Sequence, residues 1–168
     1  MNWKNILKSS SKPWEITFIC SGNIMRSPYA EYIARKILNE INDQQSKKFD
    51  LVFKSGAVTY QNNSIHPFTE KFLMDNGIPI IEIKKHKPRL VDNNPEYFQD
   101  STLFITMTNE QKRILNKKGY SNNFLLSEVA NNEQTEILDP YFFPEKKEEI
   151  YNSIKDYTKH FINELVKL

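Results

Sequence analysis

The chain has 168 residues, the length of one domain, and its 39% hydrophobic and 26% charged residues, with 11 Phe, 8 Tyr and 2 Trp, exclude a disordered chain. A formal net charge of +2 excludes a nucleic-acid binder recognised by charge alone. The lone cysteine, Cys20, excludes an internal disulfide and a cysteine-cluster zinc site, and His66, His86 and His160 stand in no HxxxH or HExxH spacing.

No apolar run reaches the roughly 18 residues of a membrane helix, and the start, MNWKNILKSSSKPW, lacks the apolar core of a secretory signal. A cytoplasmic, reduced setting is expected. Residues 1–12 are polar apart from Trp3, Ile6 and Leu7, spaced i, i+3, i+4. That spacing allows one amphipathic turn, but the polar surroundings favour a loose N-terminal extension before a domain at 13–168.

Trp14–Cys20 (WEITFIC) is aromatic and β-branched and reads as a strand. A polar turn, SGNIMRS, follows, and Pro28 sits where a helix tolerates proline, in its first turn. Tyr29, Ile33, Ile37 and Ile41 recur at four-residue steps and predict a helix. Asp50–Lys54 reads as a second strand, and Pro67–Asn76 as a helix stopped by Gly77. Leu103–Met107 is a third strand, Asn109–Lys117 a helix, and Asn123–Ser127 a fourth strand. The last helix runs from about Glu145 to Leu168, with Ile150, Ile154, Tyr157, Phe161 and Leu165 as its apolar stripe. Strands alternating with helices predict a single α/β domain, a four-stranded parallel sheet with helices on both faces. Ligands in such sheets bind beyond the carboxyl ends of strands, where Cys20 lies.

The loop Cys20-Ser21-Gly22-Asn23-Ile24-Met25-Arg26-Ser27 joins a strand to a helix N-terminus, where backbone N–H groups attract anions. Gly22 lets the backbone turn so that successive N–H groups converge, and Asn23 tolerates a left-handed conformation. Arg26 offers a planar fork that matches two phosphate oxygens. In a chain of 19 lysines and 4 arginines, that choice points to geometry rather than charge. The same positive surroundings favour the thiolate of Cys20, which could attack phosphorus at neutral pH. Read without its context, Cys20 would be an inert buried cysteine and Ser27 a plain helix cap; the strand–CxxxxxR–S–P–helix arrangement reverses that reading.

ICSGNIMRSPYAE resembles the signature of the low-molecular-weight protein tyrosine phosphatases, and Asp139-Pro140-Tyr141-Phe142 resembles that family's DPY motif. The order of elements fits over roughly residues 14–166. The resemblance implies a flavodoxin-like domain of the phosphatase I type that hydrolyses phosphotyrosine through a phosphocysteine, without a metal or other cofactor. It places the nucleophile at Cys20, the phosphoryl-binding fork at Arg26 and the general acid at Asp139. An aryl leaving group needs such a donor, and like charge from thiolate and phosphate favours a protonated carboxyl there. Ser21, Gly22, Asn23, Ile24, Met25 and Ser27 complete the phosphate loop, with Ser27 bonded to the thiolate and Asn23 holding the loop's shape. Tyr141 and Phe142 match one aromatic wall of the family's cleft, and Tyr60 an aromatic on the opposite wall. His86 and Arg89 resemble a His-x-x-Arg stretch behind the loop, and His66 is read as structural.

The chain departs from the family at Met25, where many members carry a second cysteine, and at Thr108, where an acidic residue is common. The implied partner is a phosphotyrosine protein, for instance a tyrosine kinase, met by a monomer that binds neither nucleic acid nor membrane; some relatives are exported to act on host proteins. Four other readings compete. Protein arginine phosphatases share the scaffold but tend to carry Thr where this chain has Ile24. Arsenate reductases need further cysteines. A non-catalytic phosphate- or phosphotyrosine-binding adaptor would need neither Cys20 nor Asp139, and a flavodoxin-type carrier leaves CxxxxxRSP unexplained.

Overall fold

The computed structural model describes residues 2–168. In chain order it contains α1 (Trp3–Ser9), β1 (Trp14–Cys20), α2 (Arg26–Asp43), β2 (Leu51–Ala57), α3 (Pro67–Asp75), α4 (Ile80–Ile83), α5 (Pro95–Phe98), β3 (Leu103–Thr106), α6 (Asn109–Lys117), β4 (Asn123–Leu125), α7 (Leu126–Asn131) and α8 (Lys147–Leu165). The four strands form one parallel sheet in the order β2-β1-β3-β4. From β1 the chain moves outward to β2, then returns past β1 to β3 and β4. The order therefore reverses between β1 and β3, and the crevice at that switch point opens at the carboxyl end of β1.

Side-chain alternation along the strands builds two cores. Ile16 and Phe18 of β1 join Leu103 and Ile105 of β3 in a cluster with α1, α2, α3, α7 and α8. Ile19 and Phe104 point the other way and pack with Val91, Phe98 and Leu115. Both faces of the sheet are thus covered, as parallel strands require.

Residues 2–10 overturn the expectation of a loose extension. Asn2 caps α1 by accepting from the backbone N–H of Lys4, and Trp3, Ile6 and Leu7 are buried in the main core. The Trp3 ring stands edge-on to Phe161 of α8 at 5.4 Å, and Lys4 Nζ meets Glu164 at 2.6 Å. A seven-residue helix is marginal by itself. Burial of three large apolar side chains, each worth about 1.5–3 kcal/mol, decides the matter.

Strand β2 runs past the expected end at Lys54 to Ala57, because Ser55, Gly56 and Ala57 pair with Phe18, Ile19 and Cys20. Gly56 is required there: a Cβ would lie 2.5 Å from Cζ of Phe98. Strand β4 stops at Leu125 rather than Ser127, since its pairing with β3 ends at Thr106 and Leu126 begins α7.

Candidate active site

The loop after β1 is shaped by what its carbonyls do. Val58 N–H donates to Cys20 O at 3.1 Å, and Thr59 and Tyr60 N–H both donate to Ser21 O. Asn62 Nδ2 donates to Gly22 O at 3.0 Å. His86 Nε2 bonds Asn23 O at 2.8 Å, and His66 N–H and Thr69 Oγ1 donate to Ile24 O. Five successive carbonyls are tied outward. In a trans peptide the next N–H points opposite to the carbonyl, so the N–H groups of residues 21–25 turn inward. Of these, Asn23 N–H donates to Cys20 Sγ at 3.3 Å. The rest have no acceptor among the described residues. The result is a nest of donors at the N-terminus of α2, a ready oxyanion cradle around one sulfur atom.

Asn23 holds this shape. It is fully buried with φ at 55°, a left-handed conformation that asparagine tolerates well. Its Nδ2 donates to Ser27 Oγ at 2.9 Å and Ser55 Oγ at 2.8 Å, and its Oδ1 accepts from Arg89 N–H at 3.0 Å. Ser27 Oγ lies 3.0 Å from Cys20 Sγ. Asn23 and Ser27 therefore stand behind the loop, with their side chains turned to protein partners rather than to the cleft. Ser27 lies inside the first turn of α2 and makes no cap.

In front of the loop is a cleft of about 400 Å³. Its floor is Cys20, Ser21, Gly22, Ile24, Met25 and Arg26. Tyr60, Tyr141 and Phe142 also line the cleft, all more than half exposed. Arg26 is 3% exposed, and its guanidinium donates to Ile137 O at 2.8 Å and to Asp139 Oδ2 at 3.2 Å. Asp139 Oδ1 accepts from Tyr141 N–H at 3.0 Å, an Asx turn that aims the two aromatics. Cys20, Arg26 and Asp139, the first two separated from the third by over a hundred residues, thus face one space.

His86 and Arg89 sit behind the loop as expected, both bonded to Asn23. Burial pushes the His86 imidazole below its ordinary value, opposed by the bond to Asn23 O and reinforced by Arg89 and Arg35. His66 Nδ1 caps α3 by accepting from Phe68 N–H, and burial lowers it against the pull of Asp139. Thr108 caps α6 in a capping box with Gln111.

Four residues that sequence reasoning missed complete the scaffold. Gln111 accepts from Met107 and Thr108 N–H through Oε1 and reaches Ser21 Oγ with Nε2 at 3.4 Å. Asn62 lines the cleft and packs on Gly22, where a Cβ would lie 2.7 Å from its Nδ2. Ser55 donates to the buried carboxyl of Glu31, which burial holds above the usual carboxylate range. A chain of bonds thus runs Glu31–Ser55–Asn23–Ser27–Cys20. The capping-box spacing of Thr108 and Gln111 was a readable signal; nothing local marked the other three.

Residues 15–168 match the family model described as low molecular weight phosphotyrosine protein phosphatase. The low molecular weight protein-tyrosine-phosphatase PtpB of Staphylococcus haemolyticus is 30% identical over 129 residues, 75% of this chain and 80% of that protein. Among solved structures, YfkJ from Bacillus subtilis superposes with a TM-score of 0.77 at 22% identity, covering 95% of this chain and 98% of the other. YwlE arginine phosphatase from Geobacillus stearothermophilus gives 0.68 at 22% identity, with 92% of each chain covered. At these identities the structures show the shared fold.

Proposed function

The chain belongs to the low molecular weight phosphotyrosine protein phosphatase family, and from that premise we propose that it hydrolyses phosphotyrosine in proteins through a phosphocysteine at Cys20. The observation that carries this reading is the nest of inward N–H groups around Cys20 Sγ, with Arg26 and Asp139 facing the same cleft.

The steps follow from the geometry. A phosphoryl group seated in the nest receives the loop N–H groups and the Arg26 fork on its nonbridging oxygens. Cys20 thiolate, held by Ser27 Oγ and Asn23 N–H, attacks phosphorus in line with the phenolic oxygen. The S–P bond forms as the P–O bond to the ring breaks, and Asp139 gives its proton to the departing phenolate. Water then attacks phosphorus, its proton passes to Asp139, and the S–P bond returns its electron pair to sulfur. The charge on the transferring group is spread over its oxygens, which is where the donors are aimed. Before this, Asp139 pairs with Arg26 through Oδ2; the incoming phosphoryl oxygens compete for that N–H and release the carboxyl for proton transfer.

The walls argue for an aryl substrate. Ile24 on the floor and Tyr60, Tyr141 and Phe142 at the sides give a flat ring apolar surface to lie against. A free, buried Cys20 nucleophile suits a reducing compartment, which supports the cytoplasm as its place of action. One chain supplies every residue of the cleft, so a monomer suffices, and an autophosphorylated tyrosine kinase is one fitting protein substrate.

The test compares phosphotyrosine, phosphoserine and phosphoarginine peptides, with EDTA present, on wild type and Asp139→Ala. The expected result is preference for phosphotyrosine, unaffected by EDTA. Asp139→Ala should lose most activity on unactivated phenols and least on para-nitrophenyl phosphate. Preference for phosphoarginine would instead place the chain with the arginine-directed enzymes, and equal losses on all leaving groups would remove Asp139 as the acid.

A further inference from the structure

Behind the phosphate loop lies a second, smaller cavity of about 220 Å³, polar over most of its wall. It is lined by Arg35 of α2 and by Lys85, Lys87 and Arg89 of the segment after α4, together with Tyr97 and Glu31. Glu31 is already engaged: one carboxyl oxygen meets Arg35 and the other Ser55. Lys85 pairs with Glu82 at 2.9 Å. Lys87 and Arg89 have no carboxylate partner among the described residues. The Arg89 guanidinium is fixed in place by stacking on the Tyr97 ring at 4.2 Å. The Tyr97 hydroxyl also has no hydrogen-bond partner among the described residues. Of the four cationic side chains on the wall, Arg35 and Lys85 are thus paired with carboxylates and Lys87 and Arg89 are not; the stacked Arg89 fork spends only Nη1, on Lys87 O at 3.4 Å.

We propose that this rear cavity is a second anion site, which takes a tetrahedral oxyanion such as phosphate between Arg89, Lys87 and Arg35, and that its occupancy modulates the loop in front. A fixed guanidinium and a nearby ammonium are the donors that phosphate oxygens select. The volume admits one such ion with its water.

The link to the front is short. His86 and Ser55 also line the cavity, and both bond Asn23, as does the backbone N–H of Arg89. Asn23 in turn donates its N–H to Cys20 Sγ. Burial, and then Arg89 and Arg35, press His86 toward its neutral form. An anion between those arginines would relax that pressure and shift the donor and acceptor balance at Asn23 O. The cleft and the rear cavity thus share one wall, the loop itself.

The test is calorimetric titration with inorganic phosphate alone, on wild type, Arg26→Ala, Lys87→Glu and Lys87→Glu/Arg89→Glu. Two sites are expected in wild type. Arg26→Ala should keep the rear one. Lys87→Glu should weaken the rear site at least about tenfold, and the double variant should abolish it. Lys87 is exposed, so its replacement should leave the fold intact by circular dichroism. A single wild-type site that vanishes with Arg26→Ala, or a second site indifferent to Lys87→Glu, overturns the proposal. The binding result does not depend on the phosphatase reading; a change in Arg26→Ala bears on the cleft, and a change in Lys87→Glu on the rear cavity. In turnover of para-nitrophenyl phosphate, phosphate should lower kcat as well as raise KM for wild type, and act on KM alone in the double variant. Purely competitive inhibition of wild type would refute modulation.

Discussion

Asn23 does more at the site than its position in the signature suggests. Its backbone takes a conformation that alanine adopts only at a cost of about 1–2 kcal/mol, and its amide satisfies two buried hydroxyls and a backbone N–H. Asn23→Ala should therefore destabilise the chain by about 2–4 kcal/mol in urea unfolding, with a fall in kcat larger than any change in KM. Unchanged kcat in a folded variant would mean that the loop keeps its shape without the amide. Arg26 makes the complementary case for fork geometry. Arg26→Lys keeps the charge but cannot hold Ile137 O, Asp139 and two phosphoryl oxygens with one ammonium. A loss of about 10²–10³ in kcat/KM on para-nitrophenyl phosphate is expected; a loss below tenfold would show that charge alone suffices. His86 carries the pH dependence of the support. Its folded-state value lies below the ordinary 6.5, so the unfolded chain binds more protons in that range. Stability is then present above the ordinary value and declines as pH falls below it. Urea midpoints measured from about pH 7.5 to 5 should drop for wild type and drop less for His86→Gln. Parallel curves would assign the dependence to other groups, His66 first among them.

At the scale of elements, α1 is the clearest case of tertiary context overriding local propensity. Nothing in WKNILKS taken alone forces a helix, and the polar residues around it read as a tail. The apolar stripe of α8 supplies the partner: Trp3 meets Phe161 edge-on, and Glu164 bonds both Lys4 and Lys167, which holds its carboxyl at about 2. Trp3→Ala should cost about 3–5 kcal/mol of stability, measured by thermal or urea unfolding, with activity retained below the transition. A cost near zero would restore the loose-tail reading. The same contrast explains which parts of the site were legible. Cys20 to Ser27 is contiguous, and the chemistry of each residue is set by its neighbours in the chain. Asp139-Pro140-Tyr141-Phe142 is likewise a local turn. Asn62, Ser55 and Glu31 are ordinary polar residues, given meaning only by the parallel register that lays Ser55–Ala57 alongside Phe18–Cys20 and by the face of α2 that carries Glu31 beneath the loop. Short helices such as α4, α5 and α7 were invisible for a related reason. They are too brief for a hydrophobic period to develop and are fixed by packing at strand ends.

For the molecule as a whole, alternation of strand and helix was enough to predict the parallel sheet, but not its order. The order β2-β1-β3-β4 puts the switch point beside Cys20 and brings the 60s, the 80s and the 137–142 segment around one loop. Each of those segments contributes one face: a wall with Tyr60, a rear support with His86 and Arg89, and a carboxyl with Asp139. The fold thus converts a local anion cradle into a cleft with a thiol at its floor and a carboxyl at its rim. The most direct test of that account is turnover of para-nitrophenyl phosphate by Cys20→Ser beside wild type, with both shown folded by circular dichroism. The account predicts loss of turnover to the background of the uncatalysed reaction, because serine keeps the hydrogen bonds but loses the thiolate. Turnover by Cys20→Ser within tenfold of wild type would contradict it, and would move the chemistry away from the sulfur around which the loop is built.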